Sequence, residues 1–287
     1  MPFDYDTLLN WPFDEVEHTY TQRDTMLYAL GLGFGSAPNE QRQLKYVYEQ
    51  DLISFPTMAV VLGHPGNWMT DPRAGIDMVK VLHGEQHLEI HRELPMEGTI
   101  IGQTKVLDVI DKGIGKGALI SVQRKTYEKS TGHLLNTQKA VIFARGNGGF
   151  GVMSKSKLPP PQAIPEREPD DLVEFLIATN AALLYRLNGD YNPLHADPEI
   201  AKIAGFKTPI LHGLATYGFA ARAVMLSIEK QSPSKQLKSF NARFSAPVFP
   251  GETLRTEVWR EDNVIIFRSR VTERDVVVLN NGQARAT

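Results

Sequence analysis

Two stretches of this chain echo one another in order. Met26-Leu27-Tyr28-Ala29-Leu30 aligns without gaps on Leu183-Leu184-Tyr185-Arg186-Leu187, and Pro56-Thr57-Met58-Ala59 falls against Pro209-Ile210-Leu211-His212. Leu94-Pro95 with Gly98-Thr99 matches Phe249-Pro250-Gly251-Glu252-Thr253. Leu135-Asn136 before Gln138-Lys139-Ala140 matches Leu279-Asn280 before Gln283-Ala284. Each pairing is weak alone, but all four keep the same order, which is the mark of a duplicated structural unit. A chain of 287 residues has room for two such units.

The pattern between the matched positions says what the unit contains. In the first copy, residues 21–32 read as a short helix, with Thr21 or Asp24 near its start and Gly31 after its apolar part. Pro56 to Leu62 is apolar all round, as a buried helix or core segment would be. Gly63 to Gly75 reads as a loop. From Leu88 to Arg145 come short runs rich in Val, Ile and Thr: Thr104–Ile110, Ala118–Arg124 and Lys139–Arg145. Such runs, separated by turn residues, predict an antiparallel sheet.

The second copy repeats that order. A helical run is expected from Leu172 to Leu187, a long apolar helix from Ala215 to Ile228, and strands over Thr253–Trp259, Val264–Val271 and Asp275–Leu279. Between the copies, 146–169 is rich first in Gly and then in Pro, including Pro159, Pro160, Pro161 and Pro165. The expected division is an N-terminal repeat over 1–150, a linker over 151–169 and a C-terminal repeat over 170–287. The fold class is α+β.

Composition removes several function classes. A net charge of -2 gives no basic footprint for nucleic acid. The absence of Cys excludes disulfides, thiolate nucleophiles and Cys-ligated zinc. No apolar run is long enough to cross a bilayer, so no membrane partner is expected. The start, Met1-Pro2-Phe3-Asp4-Tyr5-Asp6, lacks the pattern of a signal peptide, and Arg285-Ala286-Thr287 is not the Ser-Lys-Leu address. The expectation is a cytoplasmic protein.

The residues most able to do chemistry lie in Gly189-Asp190-Tyr191-Asn192-Pro193-Leu194-His195. Gly189 and Pro193 argue against a helix here and for a bent loop, in which residues five apart can face one space. A carboxylate and an imidazole sharing a pocket can hold a water between them for acid–base work. Asn192 can brace the loop by bonding its own backbone. Gly213 falls at the expected start of the long helix, where an unpaired N–H and the positive dipole end can stabilise an oxyanion.

Spacing leaves the plainer reading open. Asp190 can be a turn cap and His195 a structural histidine. A metal site from Asp190, His195 and Asp197 or His212 is disfavoured, because the spacing matches no helical two-His pattern. No Gly-x-Ser-x-Gly elbow is present. Continuing the first alignment puts Gly33 against Asp190 and Pro38 against His195, so the first copy lacks the acid–imidazole pair. One half is therefore expected to do chemistry and the other to shape the binding space.

At these residues the sequence resembles a known family. Tyr185 through Pro198 is similar to the signature of the (R)-specific enoyl-CoA hydratase 2 family of MaoC-like dehydratases. Ala204-Gly205-Phe206, Pro209 through Leu214, Ala242-Arg243-Phe244 and Pro247-Val248 continue the likeness. In the first half it runs through Val81 to Gln86, Asp111-Lys112-Gly113 and Gly148-Gly149-Phe150-Gly151. It covers nearly the whole chain and is nearest to two-repeat members.

The resemblance implies a double hot-dog fold, each repeat an antiparallel sheet wrapped around a long helix. It implies hydration of trans-2-enoyl-CoA to (3R)-3-hydroxyacyl-CoA, with no cofactor and no metal. The family's acid–base pair falls on Asp190 and His195, and its oxyanion N–H on Gly213. Its acyl-CoA contacts fall on His83, Gly84, Lys112, Tyr191, Asn192, Pro193, Leu194 and Phe244. Other MaoC-type dehydratases and hot-dog thioesterases are the alternatives. Hot-dog proteins commonly pair, so a homodimer is compatible, although the double fold supplies a paired unit within one chain.

Overall fold

The computed structural model describes residues 3–37, 39–151, 160–232, 234–262 and 264–287. They form two compact units. One holds Met1–His18, Leu62–His91 and Thr99–Pro161; the other holds Thr19–Val61, Arg92–Gly98 and Gln162–Thr287.

The first unit carries helix α1 (Tyr5–Leu9) and strands β1 (Val16–Tyr20), β2 (Val81–Ile90), β3 (Gly98–Asp111), β4 (Ala118–Glu128) and β5 (Leu134–Ala144), ordered β1-β3-β4-β5-β2. The pairings β3·β4, β4·β5 and β5·β2 are antiparallel, with Val106 facing Val122 and Ile120 facing Ile142. The expected strands thus form, each longer than its apolar run. Val106, Val109, Ile120 and Ala144 meet Leu8 of α1 in the core. Asp4 caps α1 by accepting the Thr7 N–H at 2.8 Å. Trp68 packs on Trp11 and Phe13 at 5.1 and 5.2 Å between ring centroids.

The second unit is built on helix α5 (Gly213–Gln231), the long apolar helix read from the sequence. Residues from Ala215 to Val224 are buried all round it, so packing rather than propensity holds the helix. Strands β6 (Asp171–Leu176), β7 (Leu237–Phe244), β8 (Thr253–Glu261), β9 (Val264–Val271) and β10 (Val276–Ala286) are ordered β7-β10-β9-β8-β6, all antiparallel. The Tyr217 hydroxyl, at the helix surface, donates to the Phe240 carbonyl on β7.

Helix α2 (Gln22–Gly31) belongs to this same unit. Asp24 closes its start by accepting the Thr21 N–H and hydroxyl, each at 2.8 Å. A Cβ on Gly218 of α5 would come within 2.6 Å of Leu32, so the glycine lets the end of α2 lie against α5. Tyr28 and Tyr185, aligned with one another in the internal repeat, meet at 5.9 Å between rings. A Cβ on Gly31 would lie 3.5 Å from the side-chain nitrogen of Asn188, the residue aligned with it. These contacts explain why residues 19–61 pack in one unit with residues 162–287.

Two local expectations change. Leu172 to Leu187 is not one helical run. It is strand β6, then the short helix α3 (Ala181–Tyr185). Val173 and Phe175 turn inward while Leu172, Glu174 and Leu176 are exposed, a period of two that pairs with β8. The Pro56–Val61 segment is a buried 3-10 helix, in keeping with the buried helix or core segment expected there. Strand β10 runs past the expected end at Leu279, through Asn280-Asn281-Gly282, where a bulge with Asn281 at φ 53° absorbs the extra length. Of the linker, 152–159 lie outside the described residues. Its later part is tied down: the Trp259 indole N–H donates to the Arg167 carbonyl at 2.8 Å.

Candidate active site

The loop from Gly189 to Asp197 is shaped by its own side chains. Gly189, at φ 109°, ends the turn Arg186–Asn188 in a conformation that favours glycine. Asp190 Oδ1 accepts the Asn192 N–H at 3.2 Å, and Asn192 Oδ1 accepts the Leu194 N–H at 3.0 Å. Pro193 opens the 3-10 turn Pro193–His195. Asp197 is spent on capping helix α4 (Pro198–Ile203), accepting the Glu199 N–H at 2.9 Å. The result leaves Asp190 exposed and buries His195. Polar atoms of Asp190, His195 and His212 lie within 4.8 Å of one another.

His195 Nδ1 stands 2.8 Å from the Ile210 carbonyl. A carbonyl only accepts, so Nδ1 carries the hydrogen, and Nε2 of the neutral ring keeps its lone pair. Burial pushes the His195 pKa down from 6.5, against the pull of the Ile210 carbonyl and the Asp190 charge. The ring is therefore a neutral base at pH 7.

His212 lies at 1% exposure directly before α5. Its ring stacks on His195 at 3.7 Å between centroids with planes 26° apart, and packs on Tyr185 at 5.1 Å. Its Nε2–H donates to the Asp190 carbonyl at 3.1 Å. Burial lowers its pKa, and the His195 ring lowers it further. Gly213 follows as the exposed first residue of α5, where helix N–H groups lack intrahelical partners. A Cβ there would meet the Phe244 ring at 3.3 Å, so the glycine keeps the aromatic close to the helix start.

Chemically the cluster offers a carboxylate, a neutral imidazole base and a helix N-terminus. It suits an ion poorly. Rings stacked with planes 26° apart do not aim in-plane lone pairs at one point about 2 Å from both. One nitrogen of each ring is also committed to a carbonyl.

The other expected contact residues are placed as follows. Tyr191 is exposed, with the Arg186 guanidinium 4.8 Å from its ring centroid. Pro193 and Leu194 lie in the turn leading to His195. His83, Gly84 and Lys112 belong to the first unit. His83 Nε2–H donates to the Glu85 carbonyl at 3.1 Å, and Gly84 sits in a bulge where a Cβ would approach the Val141 carbonyl at 3.0 Å. Lys112 Nζ is 5.5 Å from the Phe143 ring.

Two residues escaped the sequence reading. Asp111 accepts the N–H groups of Gly113, Gly149 and Gly151, each at 2.8 Å, and so joins the two glycine motifs flanking Lys112. Desolvation raises its pKa, but those N–H groups outweigh it and the net shift is downward. His212 was visible only as an alternative metal ligand. Its place beside a helix-starting glycine was the signal available.

The chain is matched by two family descriptions: MFE-2 hydratase 2 N-terminal domain over residues 18–146, and MaoC like domain over residues 160–281. It is 40% identical to "Enoyl-CoA hydratase 2, peroxisomal" of Arabidopsis thaliana, across 96% of this chain and 94% of that one. The chain belongs to the enoyl-CoA hydratase 2 family. Among solved structures, a MaoC-like dehydratase from Phytophthora capsici superposes with a TM-score of 0.84 at 37% identity, covering 98% of each chain. A Mycobacterium tuberculosis protein described as a double hotdog fold gives a TM-score of 0.56 at 14% identity, over 99% of this chain and 98% of that one. The fold is thus a double hot-dog. The Asp190–His195–His212–Gly213 cluster and Phe244 fall within the MaoC-like region, and His83, Gly84, Asp111 and Lys112 within the hydratase 2 N-terminal region.

Proposed function

We propose that this chain adds water to trans-2-enoyl-CoA to give (3R)-3-hydroxyacyl-CoA, reversibly, in fatty acid metabolism, with Asp190, His195 and Gly213 as its catalytic groups. The observation that carries the assignment of roles is the tautomer of His195. The Ile210 carbonyl holds the hydrogen on Nδ1 and leaves Nε2 able to take a proton beside the Asp190 carboxylate.

In the hydration direction a water oxygen bonds to C3 while His195 Nε2 accepts one of its protons. The double-bond electrons move toward the thioester, and the oxyanion that forms accepts a hydrogen bond from the Gly213 N–H at the positive end of α5. As the enolate collapses, C2 takes a proton from the site, which returns His195 to its neutral form. Asp190 orients the water and offsets the transient imidazolium. The acyl-CoA contacts that the resemblance implies are His83, Gly84 and Lys112 in the first unit and Tyr191, Asn192, Pro193, Leu194 and Phe244 in the second. A general acid or base of this kind is worth roughly 10²–10⁴-fold.

Steady-state assays with crotonyl- and decenoyl-CoA test the reading. Asp190→Asn and His195→Gln should each lower kcat by at least about 10²-fold, and chiral analysis should return the (3R) product. Near-normal turnover in either variant, or a (3S) product, overturns it. Carrier-protein thioesters in the same assay separate a CoA enzyme from a carrier-protein dehydratase, and thiol release separates it from a thioesterase. Among the described residues no helix is long and apolar enough to cross a membrane. Cytoplasmic residence and a homodimer belong to this proposal, beside a relative named peroxisomal; fractionation and light scattering test them.

A further inference from the structure

His212 touches every part of the proposed machinery. Its Nε2–H holds the backbone carbonyl of Asp190. Its ring lies flat on that of His195. Its own chain continues directly into Gly213, the first residue of α5. Its carbonyl accepts the N–H groups of Ala215 and Thr216, each at 3.1 Å, so the residue is fixed to the first turn of the helix. Its Nδ1 is buried with no hydrogen-bond partner among the described residues. An unpartnered buried ring nitrogen opposes stability. Its presence in a place that an apolar aromatic ring could fill calls for a reason beyond packing.

The geometry points to His212 as a positioning residue for the proposed hydration: a neutral imidazole that registers the Asp190 loop against the start of α5 and covers one face of the His195 ring. This rests on the reading of Asp190, His195 and Gly213 given above. The donor side of the ring fixes where the Asp190 carboxylate can stand. The π face does a different task. When His195 takes the water proton it becomes a cation, and a neutral aromatic face 3.7 Å away stabilises that cation without competing for the proton. A protonated His212 would repel it. The groups facing the ring from neighbouring elements are His195, Asp190, Arg186 and Tyr185. Burial first, then the neighbouring His195 ring and the Arg186 cation, work against protonation of His212, while Asp190 works for it.

Two substitutions divide the roles. His212→Phe keeps a flat ring and removes the donor, so the Asp190 loop loses its register. With reacting groups displaced by about 1 Å, kcat should fall roughly 10²-fold while KM stays close to that of the unaltered protein. His212→Gln keeps an N–H donor and removes the ring. His195 then gains solvent on one face, and the acidic limb of the kcat/KM profile should move to higher pH.

Wild-type turnover in the phenylalanine variant, or an unmoved acidic limb in the glutamine variant, overturns the proposal. So does a lowered melting temperature with an unchanged pH profile, which would mark a purely structural residue. If either variant fails to fold, ring-nitrogen NMR of the unaltered protein decides. His212 should hold the Nε2–H tautomer and stay neutral well below pH 6.5. The opposite tautomer, or ordinary titration near pH 6.5, sinks the idea. Asp190→Asn and His195→Gln run in parallel keep the two levels apart. If those variants retain turnover, the site reading itself has failed. If they collapse and the His212 variants do not, only the positioning role has.

Discussion

The carbonyl of Ile210 fixes which nitrogen of His195 carries the hydrogen, and burial pushes the ring's pKa below its ordinary value. Both have consequences for stability. His195 and His212 each have a folded pKa below the ordinary 6.5, so in acid the unfolded chain binds protons that the folded one refuses. Stability should be greatest above pH 6.5 and decline toward about pH 4, where His212 titrates, with a slope of up to about 1.4 kcal/mol per pH unit for each proton. Urea midpoints across that range measure it, and His212→Phe should flatten the decline. Gly213→Ala makes a separate test. The added Cβ would crowd the Phe244 ring at 3.3 Å, while a helix gains up to about 1 kcal/mol when Gly becomes Ala. Turnover should drop with little change in melting temperature; a variant of full activity would mean that Phe244 yields freely. Of the candidate site, the bent loop carrying Asp190 and His195 and the helix start at Gly213 were legible, because glycine, asparagine and proline announce both. His212 was not, since sequence does not show which ring stacks on which.

At the scale of elements, α5 and the strands of both halves read clearly, because a long apolar run suits a helix buried all round and short Val-, Ile- and Thr-rich runs between turn residues suit paired strands. Strand β6 did not. Leu172 and Leu176 are apolar yet exposed on an edge strand, so an apolar count suggested a helix that β pairing with β8 overrides. Short 3-10 pieces such as Pro56–Val61 carry no period long enough to identify. The end of α2 meets α5 at Gly218, where even a methyl group would come within 2.6 Å of Leu32 and 3.2 Å of the Tyr28 hydroxyl. Leu32 is fully buried and has little room to withdraw. Overpacking of this kind costs about 1–3 kcal/mol, which outweighs the roughly 1 kcal/mol that alanine gains in a helix. Gly218→Ala should therefore lower stability by about 1 kcal/mol in thermal melts at constant pH, and a stabilised variant would show that α2 shifts with ease.

For the whole molecule, the repeat poses the question of how many sites one chain carries. The alignment that pairs Tyr28 with Tyr185 sets Gly33 where Asp190 stands; Pro38, set against His195, lies outside the described residues. Gly33 has φ 72°, and a Cβ on it would meet the Arg222 guanidinium at 3.1 Å. Arg222 is itself buried, donating to the Leu32 carbonyl at 2.8 Å and to Gln43 at 3.1 Å, with its guanidinium 4.1 Å from the Phe175 ring centroid and 4.5 Å from that of Phe34. Burial lowers its pKa to about 10, so it remains a cation at pH 7. The place matching the Asp190 carboxylate thus holds a positive group and leaves little room for a side chain. A carboxylate forced in there would pair with Arg222 rather than activate water, and would strain the backbone. Calorimetry with a 3-hydroxyacyl-CoA should accordingly count one site per chain. Adding Gly33→Asp to Asp190→Asn should restore no activity, while its pairing with Arg222 leaves the guanidinium protonated to higher pH. Recovery of turnover in that double variant would mean that the first repeat keeps a working site.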